Sequence, residues 1–356
     1  MVLVRTTPPR PVDVTAVFPE LAPLARPAIR LHPRPGSPSV GESSVGGPLL
    51  WPVEEPWPHC EASHLHLDSG LRQSPAEVRL ERRMRARWHR DPGGPELTPE
   101  EKAIKERSAA MLAERLGADA PLPADCPAPM LPVAQLYLRD IPLLRPPGQA
   151  DLLQVLWCPY DHEPDCKPAT ALFWRSSAEV VDILAAPPEP YEANYPGYVP
   201  EPCLLAPEAI TEYPDSLDLS PQLRQALGDW NRWQAAGADV DSSYADRPVE
   251  FYDVHLADAP GWKAGGWPPW GRTDPDPRYC AVCEVQMVPL LTVASFEWGG
   301  YEGRSWAPHE DQAAAHATHA GRRPSQPTQV EVGSADNMQL YVCPTSPEHP
   351  HTDLIQ

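Results

Sequence analysis

Short apolar runs bounded by prolines dominate the hydrophobic pattern of this chain. Runs such as residues 152–157 and 288–293 lack helical periodicity and have the length of buried strands. The chain contains 50 prolines among 356 residues, and proline interrupts both helix interiors and central strands, so long regular elements must be few. The pattern therefore predicts an α+β, β-rich fold of internally duplicated small sheets with inserted helices.

Helical periodicity is confined to three segments. Leu80 and Trp88 lie on one apolar stripe of a very basic segment. Thr98, followed by a proline and by Glu101, is typical of a capping box at the start of a second helix. Ser220 precedes a third apolar stripe, which is predicted to form one helix. We expect all three helices to pack against the sheets.

The two halves of the chain carry the same ordered pattern. Asp, Gln, Cys and Pro stand at identical offsets in residues 151–159 and 336–344. A Gly-Gly pair precedes each block, and a histidine follows it, His162 in the first half and His349 in the second. Cys60 and Cys280 also follow the Gly-Gly pairs, and a Cys-x-x-x-Met piece stands at 126–130 and at 283–287. These matches in one order indicate a repeated unit.

The repeats divide the chain into four parts. Residues 1–43, rich in proline and arginine, are predicted to form an extended arm with one short helix. The first repeat covers 44–180 and carries a helical insert at 68–120. Residues 181–262 are a connecting segment with one helix, and 263–356 form the second repeat. The sequence leaves open whether the halves form one continuous sheet or two packed subdomains.

Cysteine and histidine recur at corresponding places in the repeats. Zinc prefers four such ligands in a tetrahedron, and a Cys-x-x-Cys turn supplies two of them. The second half offers Cys280, Cys283, Cys343 and His349, with His351 as an alternative to the last. The first half offers Cys60, Cys126, Cys158 and His162, with His64 or Cys166 as substitutes. These sets predict structural zinc, and the alternative is that the cysteines only pack in the core.

The charge of the chain bears on its partners and its compartment. A formal net charge of −20 argues against nucleic acid and anionic membranes, which require clustered Lys and Arg. No apolar run approaches the ~20 residues of a membrane span, and the N-terminus lacks the apolar region of a signal peptide. We therefore expect a cytoplasmic protein with unpaired thiols and a protein partner.

The order of these blocks resembles that of a known family. A Gly-Gly pair, proline and tryptophan, a Cys-x-x-Cys-x-x-x-Met motif at 280–287, an apolar strand and a Cys-Pro pair at 343–344 resemble the YwqG-like domain of unknown function. The long actinobacterial form is the most similar, and the programmed cell death protein 2 family is related. The resemblance implies a duplicated β-rich fold. It implies a chaperone for a nascent ribosomal protein in the eukaryotic relatives, and an adaptor or immunity role in bacteria.

Binding explains the sequence better than catalysis. The chain has neither a His-Glu-x-x-His motif, nor a phosphate-binding Gly-x-x-x-x-Gly-Lys loop, nor a Gly-x-Ser-x-Gly elbow. Tryptophan anchors many interfaces, and four tryptophans beside prolines are candidate partner contacts: Trp51, Trp57, Trp267 and Trp270. Alternatively, they attach proline-rich loops to the core. We predict a protein-binding module such as a chaperone or adaptor for a basic client. The alternatives are an immunity protein that neutralises a toxin and a zinc-dependent hydrolase.

Overall fold

The computed structural model describes residues 4–65, 73–91, 96–116, 127–238, 244–299, 302–315 and 324–356. These ranges contain fourteen strands, all paired antiparallel. The strands are β1 Arg26–Arg30, β2 Arg34–Pro35, β3 Ser44–Val45, β4 His59–Cys60, β5 Ala128–Pro129, β6 Leu131–Tyr137, β7 Leu152–His162, β8 Lys167–Arg175, β9 Cys203–Leu204, β10 Glu208–Glu212, β11 Lys263–Gly265, β12 Val288–Ala294, β13 Asn337–Val342 and β14 Thr352–Ile355. The helices are α1 Val14–Val17, α2 Pro75–Arg90, α3 Pro99–Leu116, α4 Pro221–Leu227, α5 Trp230–Ala235, α6 Pro248–His255 and α7 Gln312–Ala315. The α+β, β-rich class predicted from the sequence is confirmed.

The strands form two six-stranded sheets and one two-stranded ladder. Sheet I has the order β10-β1-β11-β12-β13-β14, and sheet II has the order β2-β9-β3-β6-β7-β8. The last four strands of the two sheets correspond, each set coming from one half of the chain. The β6–β7 and β12–β13 registers both shift directly after a proline, Pro132 in sheet II and Pro289 in sheet I. Proline cannot donate to a ladder, so a bulge is the natural place for it.

One hydrophobic core is shared by both sheets. It includes Val155 of β7, Ile29 of β1, Leu291 of β12 and Leu340 of β13, each no more than 4% exposed. The alternation of side chains along each strand places the intervening residues on the opposite, outer face of each sheet. The two halves are therefore two packed sheets around a common core.

The N-terminal segment is part of the sheets, which corrects the prediction of an extended arm at 1–43. Strand β1 pairs with β10 and β11 in sheet I, and β2 pairs with β9 in sheet II. The chain crosses between the sheets at His32, whose φ is 43°. Residues 28–31 are all buried. The strand was not predicted because the surrounding prolines interrupt the strand pattern in the sequence.

The helices also differ in number from the prediction. Capping boxes begin α2 and α3, with the Thr98 and Glu101 pair of α3 as predicted. The described part of the connecting segment contains three α-helices where one was predicted, because Asp229 starts α5 by accepting from the backbone N–H of Asn231 and α6 follows. On α2, Leu80 is buried while Trp88 is 65% exposed.

Candidate metal centres

The second half brings three cysteines and one histidine together beyond the outer face of sheet I. Cys280 and Cys283 lie in the turn before β12, Cys343 follows β13, and His349 lies in the loop before β14. One ligand atom from each lies within 4.8 Å of all the others. The Cys283 and Cys343 sulfurs are 3.4 Å apart, and His349 Nδ1 is 3.3 Å from the Cys280 sulfur. A tetrahedral zinc ion with these ligands sets them about 3.5–3.8 Å apart, so the two separations are within a few tenths of an ångström of those of a filled site.

The backbone around this group stabilises thiolates. Burial would raise the pKa of Cys343, but the N–H groups of Ser346 and Thr345 donate to its sulfur and lower the pKa to about 6. Burial would also raise the pKa of Cys280, but the N–H groups of Cys283 and Val282 donate to its sulfur and lower this pKa. A turn that directs two N–H groups at one sulfur holds it ready as a metal ligand, since the thiolate is the form that binds.

The pKa of the histidine in this group shows that the site favours positive charge. Contacts with Cys343 and then Cys280 raise the pKa of His349. The sulfurs therefore favour positive charge at the centre of the group, which a divalent cation would supply. The turn itself is tight: Glu284, directly after Cys283, has φ 57°, and its N–H donates to the Cys280 carbonyl.

The first half builds a matching group beyond sheet II. Cys60 ends β4, Cys158 and His162 lie on β7, and His64 follows β4 by four residues. Their ligand atoms also lie within 4.8 Å of one another, with His162 Nε2 3.6 Å from the Cys60 sulfur. Hydrogen bonding with Cys158, then with His162 and His64, lowers the pKa of Cys60, whereas burial raises the pKa of Cys158. The surroundings of this group therefore favour a thiolate at Cys60.

The two histidines of the first group are held in place by neighbouring atoms. His162 Nδ1 lies 3.0 Å from the Ser63 carbonyl, which directs Nε2 toward the cysteines. His64 is 5% exposed and stacks on Tyr160 at 4.7 Å, and its Nε2 has no hydrogen-bond partner within the described residues. One ring nitrogen of His64 lies within 4.8 Å of the other three ligand atoms, where a metal ion could bind it. The four side chains thus fit a metal ion.

Most of the metal ligands proposed from the sequence lie in these two groups. All four second-half ligands come together, and His351 instead lies 2.9 Å from the Thr170 hydroxyl. In the first half the substitute His64 joins the group, while Cys126 lies outside the described residues. The other substitute, Cys166, is an exposed thiol outside the group.

Backbone contacts show that the two groups stand at equivalent places. The N–H of Met130 donates to the Pro58 carbonyl at 3.0 Å, and the N–H of Met287 donates to the Arg278 carbonyl at 2.8 Å. The β4–β5 ladder of the first half therefore corresponds to the bridge between Tyr279 and its partner at 286. The helical insert occupies the place that the Cys-x-x-Cys turn has in the second half.

The structure corrects the assignment of Trp51 and Trp57 as partner contacts. They are 1% and 7% exposed and pack with each other at 5.1 Å in the core beside the first metal group. Their indole N–H groups donate to the carbonyls of Glu55 and Met130. Both residues therefore attach a proline-rich loop to the core, which was the alternative interpretation.

Trp267 and Trp270 are half-buried, and Trp270 faces an acidic cavity that sequence reasoning missed. The cavity measures about 650 Å³, and its lining includes Trp270, Trp306, Asp215, Asp253 and Asp258. Burial and the neighbouring Asp253 raise the pKa of Asp215 to about 6, and burial raises the pKa of Asp258 to about 7. Asp215 lies before α4, Asp253 lies on α6 and Asp258 follows α6, so the fold brings Asp215 to the other two.

Comparisons with known proteins do not assign the chain. No family model matches the sequence, and no curated protein matches it either. The resemblance to YwqG-like proteins therefore remains a prediction. Within the part of the chain that the structure describes, no helix is both long and apolar enough to cross a membrane.

Proposed function

We propose that the protein is a protein-binding module in which two structural zinc ions stabilise the two halves. The number of ligands supports a structural role for these ions. Each group supplies four ligands, which completes the tetrahedron of zinc and leaves no position for a substrate. An ion bound by Cys280, Cys343 and their neighbours joins two chain segments about 60 residues apart in sequence. Its binding free energy would add to folding free energy.

The charge distribution supports a basic partner. The chain has a formal net charge of −20, which attracts and orients cationic proteins. The cavity beside Trp270 and Trp306 adds carboxylates with raised pKa values, including Asp215 and Asp258. A lysine or arginine side chain in that cavity would relieve their mutual repulsion and stack on indole. A chaperone or adaptor role for a basic client agrees with these features.

The resemblance to YwqG-like proteins belongs to the same proposal. It is supported by the matching strand order and by the shared proline bulges at Pro132 and Pro289. The seven cysteines in the described residues form no disulfide with one another, which agrees with a cytoplasmic location. An immunity protein would use the same binding chemistry, with a toxin as its partner.

A hydrolase is favoured by one observation only. A cavity of about 680 Å³ is lined by His64 and His162 of the first group together with Lys167, Arg278 and Asp353. Catalytic zinc sites keep three protein ligands and one open position. The first group supplies four ligands, so one would have to leave before a substrate could bind, and binding remains the better-supported function.

The function can be tested by isolating the partner. The tagged full chain and a variant that carries both Asp215→Asn and Asp253→Asn are purified in parallel from the cells that produce the protein. We expect one stoichiometric basic protein that dissociates in 0.5 M salt, rebinds when purified, and binds the variant more weakly. Absence of any stoichiometric protein, or zinc-dependent hydrolysis by the purified chain, would contradict the proposal.

A further inference from the structure

The cavity beside Trp270 lies at an indole whose first-half equivalent is covered. Trp51 and Trp270 each stand four residues after the second glycine of a Gly-Gly pair. Trp51 is 1% exposed, whereas Trp270 is half-buried and lines the cavity of about 650 Å³. Equivalent tryptophans are therefore enclosed in one half of the chain and border a cavity in the other.

An arginine of the same chain covers Trp51. The guanidinium carbon of Arg175 lies 4.0 Å from the centroid of the Trp51 ring. Arg175 Nε donates to Gln154 Oε1 at 2.7 Å, and Arg175 Nη2 donates to Glu55 Oε1 at 2.7 Å. An indole face, a strand amide and a carboxylate therefore hold this guanidinium, and its planar fork suits all three.

The second half has no arginine at the corresponding place. Arg175 pairs with Leu152 in the first half, and Gln356 bonds to the backbone of Asn337 in the second. Leu152 and Asn337 stand at the same place in the two matching blocks. The Gln356 side chain accepts from backbone N–H groups of the loop that follows Trp270. The cation that covers the indole in the first half therefore has no counterpart in the second.

Arginine covers other tryptophans of this chain in the same way. Arg26 lies 3.4 Å from the ring centroid of Trp267, and Arg10 lies 3.7 Å from that of Trp306. Among the described residues, no arginine or lysine stacks over Trp270. Its ring is held at the edge, where the indole N–H donates to a carboxylate at 2.7 Å.

The strands beneath the cavity also keep an unused hydrogen-bond donor. Thr292 lines the cavity, and its hydroxyl donates to Gln339 Oε1 at 3.0 Å. Gln339 is 0% exposed, and its Nε2 has no hydrogen-bond partner within the described residues. In the first half, the equivalent Gln154 Nε2 donates to the Leu50 carbonyl at 3.0 Å. A buried donor without an acceptor is unfavourable, so this site is less complete than its first-half equivalent.

Carboxylates give the cavity an excess of negative charge. Asp258 lies 3.5 Å from Lys263 Nζ, but this ammonium also pairs with Glu212. Asp215 and Asp253 line the same cavity, and they accept hydrogen bonds from neighbouring backbone N–H groups. Neither has an ion-pair partner among the described residues. A further cation in the cavity is therefore favoured.

We propose that this cavity binds an arginine side chain of the partner protein. Its guanidinium stacks on Trp270 and pairs with the cavity carboxylates, in the arrangement that Arg175 has in the first half. The inference rests on the proposed function and deepens it by naming arginine, rather than lysine, as the residue recognised. The lysine ammonium is a compact point charge that has no plane to stack on an indole.

The test compares labelled peptides that differ only at one residue. That residue is arginine, lysine or citrulline between pairs of glycines, and citrulline keeps the shape of arginine without its charge. Binding to the full chain is followed by fluorescence anisotropy. A Trp270→Leu variant removes the indole, and a variant with both Asp215→Asn and Asp253→Asn removes two charges. The matched control is Trp88→Leu, at a 65% exposed site outside the cavity, and melting temperatures confirm that the variants fold.

We expect the arginine peptide to bind about fivefold more tightly than the lysine peptide, and the citrulline peptide to bind least. Trp270→Leu and the double aspartate variant should each weaken arginine binding about fivefold, and Trp88→Leu should leave it unchanged. The assignment is overturned if the arginine peptide does not bind, if the lysine or citrulline peptide binds equally well, or if Trp270→Leu binds the arginine peptide as the wild type does.

Two results separate this inference from the proposed function. If Trp270→Leu still captures the stoichiometric basic protein as well as the wild type does, the cavity assignment is wrong and the proposed function stands. If the arginine peptide binds as expected but no stoichiometric protein is recovered from cells, the cavity recognises arginine and the proposed function is wrong.

Discussion

Cys283 and Cys343 face each other at a sulfur–sulfur distance of 3.4 Å, although 60 residues separate them in the chain. Cys283 precedes β12 and Cys343 follows β13, which are neighbouring antiparallel strands. An ion between these cysteines would fasten the open end of that strand pair. Removal of the ion would leave two thiols within reach of each other, and one of them has a lowered pKa.

Oxidation of this pair is the first prediction. The pKa of Cys343 is lowered to about 6 by backbone N–H donors despite its burial, and thiolates react fastest in disulfide formation. After chelation, diamide should accept two electrons and two protons as a Cys283–Cys343 disulfide forms. Peptide mapping should find this pair before any disulfide that contains the exposed Cys166. Zinc-loaded protein should resist oxidation, and equal rates with and without metal would contradict a bound ion.

The second prediction concerns the fourth ligand of the first group. Because Cys60, His64, Cys158 and His162 already form a complete set, His64→Ala should release the zinc of this group. In a Cys280→Ser, Cys283→Ser background, chelator competition should show zinc affinity at least tenfold lower for His64→Ala. Cys126→Ser and the exposed-residue control His59→Ala should keep the affinity unchanged. Loss of zinc in the Cys126 variant alone would assign that cysteine as the ligand instead.

The sequence predicts the features that residues close together in the chain form, and it misses those that depend on residues far apart in the chain. The second metal group was predictable because Cys280 and Cys283 share one turn and the repeat located Cys343 and His349. His64 was predicted only as a substitute, since an insert separates the two halves of that site in sequence. Nothing local in the sequence marks the burial of Trp51, because that burial depends on packing between segments distant in the chain.

The burial of Trp57 gives the third prediction. Its side chain is 7% exposed and its indole N–H donates to the Met130 carbonyl at 2.9 Å. Trp57→Ala should lower the free energy of unfolding by about 3–5 kcal/mol. Trp88→Ala, at a 65% exposed site, should change it by less than ~0.5 kcal/mol. Urea unfolding measures both, and a neutral Trp57 variant would restore its assignment as a surface contact.

A buried ion pair gives the fourth prediction. Lys263 and Glu212 are both fully buried, with Nζ to Oε1 at 2.8 Å. Lys263→Met would leave a buried carboxylate without its cation, at a cost of about 3–5 kcal/mol. The double variant with Glu212→Gln should recover most of this loss, because the amide oxygen can still accept a backbone N–H. The exposed pair of Arg247 and Glu250 is the control, since breaking it should cost less than ~1 kcal/mol.

That prediction fails if the single and double variants are equally unstable. It also fails if Lys263→Met is no worse than Arg247→Ala, since the buried pair would then contribute no more than an exposed one.

The fifth prediction concerns pH. Burial raises the pKa of Glu297 to about 7 from an ordinary 4.5, although Arg30 lowers it. The neutral form is favoured in the folded state, so its contribution to stability is complete below about pH 4.5 and is lost as the pH rises through 7. Glu297→Gln is always neutral and should be more stable than the wild type by roughly 1–3 kcal/mol at pH 8. At pH 5 the two should be nearly equal.

Urea unfolding at pH 5 and pH 8 measures this difference, with the exposed Glu20→Gln as control. A Glu297→Gln variant that is destabilised at pH 8, or a difference independent of pH, would show that Glu297 is held as a carboxylate.

Zinc content is the most direct measurement of the central claim that two closed Cys/His groups stabilise the two halves. Protein purified under reducing conditions is analysed by elemental mass spectrometry, beside Cys280→Ser, Cys283→Ser and Cys60→Ser, Cys158→Ser variants. We predict about two zinc ions per wild-type chain, one in each double variant with a lower melting temperature, and two in a Cys166→Ser control. A chain without zinc, or double variants that keep the wild-type metal content and stability, would contradict the account.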